Sequence, residues 1–185
     1  MTKRLKKYKL WFLVKLLFLF FSGISAQASL YTKAPSAQNQ RKIDAAVRSA
    51  VALIDGALNS RPQPGTRADQ YKAQYEKFWA EYRAVIESVN YNEALEPEKD
   101  CRNAVAYTAD FLNEVTLCPG FYQYGKNFMV GTLLHEMGHM AQIDKAAPGL
   151  AGVDDEECLA EQSAYGIFLL NGKGSSYIFS YDCKK

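Results

Sequence analysis

The chain has 185 residues, 48% of them hydrophobic, with 22 basic and 20 acidic side chains. That is enough for one domain with a real hydrophobic core. Six of the basic residues and none of the acidic ones fall in the first 28 positions, leaving 16 against 20, a formal charge of −4, for the remainder; a mildly acidic domain without a basic patch argues against nucleic acid as a partner.

The beginning of the chain reads as an export signal. Lys3, Arg4, Lys6, Lys7 and Lys9 precede an apolar run from Leu10 to Phe21 that only Lys15 interrupts. Ser25-Ala26-Gln27-Ala28 then offers small residues for cleavage after Ala28. A membrane anchor needs about 20 nearly uninterrupted apolar residues, and Lys15 cuts this run short. The expectation is a signal peptide over residues 1–28 and one exported domain over residues 29–185, secreted or periplasmic, with no stable membrane anchor after cleavage.

A short polar stretch, Ser29 to Ser36, leads into a first helix from about Ala37 to Asn59, where Ile43, Val47, Ala50, Ile54 and Leu58 keep a helical period. Arg61-Pro62-Gln63-Pro64-Gly65 stops it. Thr66 and Asp69 resemble a capping box for a second helix to about Asn90. Its stripe Tyr71, Tyr75, Phe78, Tyr82, Val85 and Val89 is expected as the buried seam of a helical hairpin spanning 37–90.

Tyr91 to Asp100 reads as a polar, acidic loop. The period then changes: Asn103 to Ala109 and Glu114 to Leu117 favour short strands, joined by a turn over Asp110 to Asn113 and closed by Cys118-Pro119-Gly120. Asn127 is placed to cap a third helix reaching about Lys145, ended by Pro148-Gly149. Asp154 or Asp155 caps a fourth, to Asn171 and Gly172, and Ser175 to Cys183 forms a tail. No internal repeat or low-complexity tract is present. The fold class expected is α+β, mostly helical, with a small sheet between two helical pairs and a catalytic core over 101–171.

An even number of cysteines in an exported chain favours disulfides over a metal site, because no two have the short spacing of structural zinc ligands. Cys101 with Cys118, flanking the hairpin, and Cys158 with Cys183, pinning the C-terminus, is the preferred pairing of the three possible.

The chain has two histidines, His135 and His139. Four residues apart on a helix, both imidazoles project from one face and reach one zinc ion. Glu136 stands beside the first ligand, where it can take a proton from water without occupying a coordination position. Gly138 leaves room for a close approach by another part of the domain. A catalytic zinc takes three protein ligands, so the third is a carboxylate or, less readily, a cysteine. The candidates are Asp154, Asp155, Glu156, Glu157 and Glu161, which follow His139 by 15 to 22 positions. Asp154 and Glu157 also read as a cap and its partner.

His135-Glu136-Met137-Gly138-His139 with Glu157-Cys158-Leu159-Ala160-Glu161 resembles the zincin metallopeptidases, in their glutamate-ligand branch. Glu157 to Gly166 is similar to the matching segment of bacterial neutral zinc metallopeptidases. The resemblance implies a zincin-like fold in which a second, ligand-bearing helix follows the histidine helix. It implies His135, His139 and Glu157 as metal ligands and Glu136 as the catalytic base. Glu161, standing where that family commonly has aspartate, would orient a ligand histidine by hydrogen bonding. A second resemblance, over Cys101 to Tyr122, is to the deuterolysin and lysine-specific endopeptidase group, whose third ligand is an aspartate within Gly-Thr-x-Asp-x-x-Tyr-Gly. Gly152-Val153-Asp154-Asp155 matches that pattern only in part and lacks its Tyr-Gly, which ranks Asp155 behind Glu157. Both resemblances cover only about Cys101 to Asn171.

The function expected is an exported zinc-dependent metallopeptidase, its cofactor Zn2+ and its partner a peptide or protein substrate. Zinc in such a site lowers the pKa of water to roughly 7 and polarises the carbonyl, while Glu136 carries the proton. Tyr165, Tyr177 or Tyr181 would stabilise the oxyanion, and the strand around Val105 to Ala109 would hold an extended peptide by edge pairing. The alternatives are a zinc amidase acting on cell-wall peptides and a non-catalytic binding module on the same fold.

Overall fold

The computed structural model of the chain describes residues 32–95, 100–102, 104–109, 113–143, 155–178 and 183. The expected signal peptide, Asp154 and Tyr181 lie outside them.

Among the described residues, four α-helices and a four-stranded sheet make an α+β fold. Helix α1 (Ala37–Asn59) begins where Ser36 Oγ accepts the Asn39 amide at 3.2 Å. It buries Ile43, Ala46, Ala50, Leu53, Ile54 and Ala57, the apolar stripe that its period implies. Its last carbonyls, which have no partner within the helix, are met by Lys72, whose Nζ lies 2.7 Å from both Leu58 O and Ser60 O.

Helix α2 (Arg67–Val85) starts with Thr66 Oγ1 accepting from Asp69 N at 3.3 Å. Asp69 Oδ2 in turn accepts from the amide of Gly65, at 3.0 Å, so the two side chains cap the end reciprocally. The helix ends at Val85, short of the expected Asn90. Its aromatic stripe is buried as expected, but its polar tips bind the fourth helix rather than α1: Tyr75 Oη donates to Gln162 at 2.9 Å, and Trp79 Nε1 to Ser163 Oγ at 3.1 Å.

The residues after α2 form strand β2 (Asn90–Ala94), not the loop expected from their polarity. Pairing decides the matter. β2 lies between β1 (Thr32–Lys33), antiparallel to it, and β4 (Glu114–Leu117), parallel to it, and β3 (Ala106–Ala109) pairs antiparallel with β4 at the far edge. A strand bonded along both edges tolerates poor intrinsic propensity. The one buried charge of β2, Glu93, is met by Asn39 Nδ2 at 2.6 Å and Lys33 Nζ at 3.6 Å. Strand β3 begins at Ala106, inside the wider span expected from Asn103.

Helix α3 (Lys126–Met140) is capped by Gly125, not by Asn127. Gly125 O accepts from Phe128 N at 3.0 Å and from Met129 N at 3.2 Å. The helix stops at Met140, before the expected Lys145, which lies outside the described residues; Gln142 takes a left-handed φ of 51°. Helix α4 (Glu156–Leu170) is capped by Asp155, whose Oδ1 accepts from Cys158 N at 3.1 Å, and closes at Asn171 before Gly172 with φ +67°.

The helices are not two pairs separated by the sheet. Helix α1 packs on α2, α3 and α4, α2 packs on α4, and the sheet meets this cluster through β3 against α3. The closest crossing is α3 on α4. A Cβ added at Gly138 would lie 2.8 Å from Ala160 Cβ and 3.1 Å from Tyr82 Oη, so only glycine fits there. Both disulfides form as expected, Cys101–Cys118 and Cys158–Cys183. No helix among the described residues is long and apolar enough to cross a membrane.

Candidate metal centre

The close α3–α4 crossing sets His135 and His139 opposite the first turn of α4. The two histidine Nε2 atoms are 3.1 Å apart. Glu157 approaches both, with Oε2 3.0 Å from His135 Nε2 and Oε1 3.6 Å from His139 Nε2. A tetrahedral ion with bonds of about 2.0–2.1 Å holds its ligands about 3.3–3.4 Å apart. The three donors are therefore spaced as ligands of one ion, and together they form a group that could hold a metal. Two imidazoles and a carboxylate suit zinc and other first-row divalent ions alike.

The remaining imidazole nitrogens are also held. His135 Nδ1 lies 2.8 Å from Glu161 Oε2, and His139 Nδ1 lies 3.1 Å from Glu156 Oε1. Carboxylates there favour the proton on Nδ1, which turns both Nε2 lone pairs toward the same point. Glu161 is fully buried, at 0% exposure, and is itself bonded by the Tyr177 hydroxyl.

Three electron-pair donors in contact demand positive charge between them. In the metal-free protein protons supply it. Burial opposes charge on His135, but hydrogen bonds to Glu157 and Glu161 and the charge of Glu136 outweigh it, raising its pKa from 6.5 to about 10. His139 moves the same way, burial opposing and Glu157 prevailing. Hydrogen bonds to His135 and His139 hold Glu157 well below the usual carboxylate range.

The competing carboxylates have other employment. Asp155 caps α4 and Glu161 supports His135 from behind, so neither occupies the point where the Nε2 atoms meet. Glu156, not singled out above the other acids, bonds His139. It stands next to Glu157 in the chain, and only the approach of α4 decides which of the two faces which nitrogen.

A cleft of about 660 Å³ opens onto the centre, lined on one side by residues 104–108 and on the other by Tyr124, Phe128, Thr132, His135, Glu136 and His139. Phe128, Thr132 and Glu136 are spaced by four, a pattern that marks one face of α3 and is visible in the amino-acid sequence itself, and Tyr124 stands just before the helix cap. Of the tyrosines expected at the oxyanion, the two described, Tyr165 and Tyr177, do not line the cleft. Tyr177 is buried against Phe168, with ring centroids 5.1 Å apart, and Tyr165 packs between Tyr71 and Tyr177. Among the described tyrosines, Tyr107 and Tyr124 line the cleft.

Compared with protein-family models, curated proteins and solved structures, the chain matches none.

Proposed function

We propose that this chain is an exported zinc-dependent metallopeptidase of the zincin kind, using a glutamate as third ligand. The observation that carries the reading is the convergence of His135 Nε2, His139 Nε2 and a Glu157 oxygen beside Glu136, at the wall of a cleft bordered by an edge strand. Zinc bound there supplies Lewis acidity, acidifying water and polarising a carbonyl.

The chain's own residues do the rest. Glu136 is buried yet lines the cleft, next to the donor group but outside it. It accepts the proton of the attacking water and passes it to the departing amine. Glu161 and Glu156 hold the two imidazoles in the orientation that a metal requires. β3, the last strand of the sheet among the described residues, borders the cleft and pairs with an extended peptide backbone. Two disulfides fit export to an oxidising compartment.

The test is the zinc content and peptide hydrolysis of the purified protein. The expected result is close to one zinc per chain, lost in Glu157→Ala and retained in Asp155→Ala. Glu136→Gln keeps the metal and loses turnover. A wild-type chain that takes up no zinc when supplied with it refutes the reading.

A further inference from the structure

The cleft extends past the metal centre toward the start of α3, and its chemistry changes along the way. Around His139, Glu156 and Glu157 it is polar and acidic, whereas its other end is formed by Tyr124 and Phe128. These two rings lie 4.4 Å apart, centroid to centroid, at 42°. Phe128 is buried beneath its neighbour, while Tyr124 is 54% exposed. A single exposed aromatic residue means little by itself. This one lies in the cleft, against Phe128 at the start of α3, and lines it together with the same edge strand and the donor group.

The spacing bears on what would lie there. Seven residues of helix separate Phe128 from His135, a rise of about 10 Å. An extended peptide covers that distance in about three residues. A chain paired with β3 and presenting its carbonyl to the metal centre therefore brings another of its side chains to the aromatic pair. Rings accept aromatic partners in offset or edge contacts, and large aliphatic side chains by burial.

We propose that Tyr124 and Phe128 form a subsite for an aromatic or large aliphatic side chain of an extended peptide, about three residues from the bond that is cut. The inference rests on the peptidase reading and narrows its substrates to peptides long enough to span from the centre to this pair. Small-residue stems such as those of a cell wall do not fill it.

The test is equilibrium binding of acetylated octapeptide amides of alanine and serine, with and without one phenylalanine, to the Glu136→Gln protein. The phenylalanine peptides bind about tenfold more tightly. Tyr124→Ser, added to the same protein, removes the difference, and Tyr124→Phe keeps it. Equal binding of both peptide sets, or a preference that Tyr124→Ser leaves untouched, overturns the subsite. Digestion of a peptide mixture by the wild type separates the two ideas. Phenylalanine-dependent binding without any cleavage sinks the peptidase and leaves the subsite standing. Cleavage with no enrichment of large apolar residues about three positions from the cut sinks the subsite alone.

Discussion

Single residues at the centre answer to one constraint: each of the four histidine nitrogens faces a carboxylate oxygen, from three glutamates in all. Glu157 faces both Nε2 atoms, and Glu161 and Glu156 take the two Nδ1 atoms. Removing a carboxylate behind a ligand histidine typically costs about 10–100-fold in metal affinity. Glu161→Ala is accordingly expected to bind zinc more weakly by that factor, measured by competition with a chelating dye, without changing the stoichiometry. Proton linkage gives a second expectation. The pKa of His135 is raised from 6.5 to about 10, so its contribution to stability is complete below pH 6.5 and fades as pH rises toward 10. Glu157, whose pKa is lowered from 4.5, contributes above that value and loses its contribution in acid. The thermal midpoint of the chelator-treated protein should therefore fall from about pH 6.5 upward, and bound zinc should flatten that fall. Zinc uptake near neutral pH should also release protons, seen as a heat of binding that varies with the buffer. A buffer-independent heat would show that His135 carries no proton in the metal-free state.

At the scale of elements, the centre is a property of one helix crossing. His135 and His139 belong to α3 and Glu157 to α4, and Gly138 lets the two approach until a Cβ would touch Ala160. Gly138→Ala is expected to cost about 1–3 kcal/mol of stability by overpacking. Because it pushes the ligand-bearing helices apart, it should also weaken zinc binding. Ala160→Gly in the same chain should restore part of both losses, read by urea denaturation and zinc titration. If Gly138→Ala is destabilised yet binds zinc as the wild type does, the crossing is structural only. Helix α2 backs this crossing: Trp79 Nε1 and Tyr82 Oη both bond Ser163 Oγ on α4, at 3.1 and 2.8 Å.

Across the whole molecule, two cross-links tie the cleft to its frame. Cys101–Cys118 bridges 17 positions and braces the β3–β4 hairpin, and Cys158–Cys183 spans 25 and fastens Cys183 to the residue after Glu157. Loop-closure entropy for spans of this size is worth about 3 kcal/mol each. Replacing Cys101 and Cys118 by serine should lower stability by about that amount in chemical denaturation. The candidate metal ligands His135, His139 and Glu157 should remain intact, since none lies within that loop. Loss of zinc binding in the folded double variant would mean that the hairpin helps assemble the centre.

Much of this protein was legible from local rules. The i, i+4 spacing of His135 and His139 needs only helical geometry to set both imidazoles on one face. The limits of α1, the capping of α2 by Thr66 and the turn at Gly172 likewise follow from a few adjacent residues. The resemblance favoured Glu157, but no local rule separates it from Asp155, Glu156 and Glu161. These carboxylates are alike in chemistry, and their roles depend on how α4 meets α3. Strand β2 was hidden for a related reason: Asn90 to Glu93 have weak strand propensity and are held by two neighbouring strands remote in sequence. The common packing of all four helices was equally invisible, because a helical period marks the buried face without naming the helix that covers it. Sequence alone determined which groups could serve as metal ligands and proton carriers; tertiary structure decided which of them meet, because ligation and strand pairing depend on distances between parts of the chain that only packing brings together.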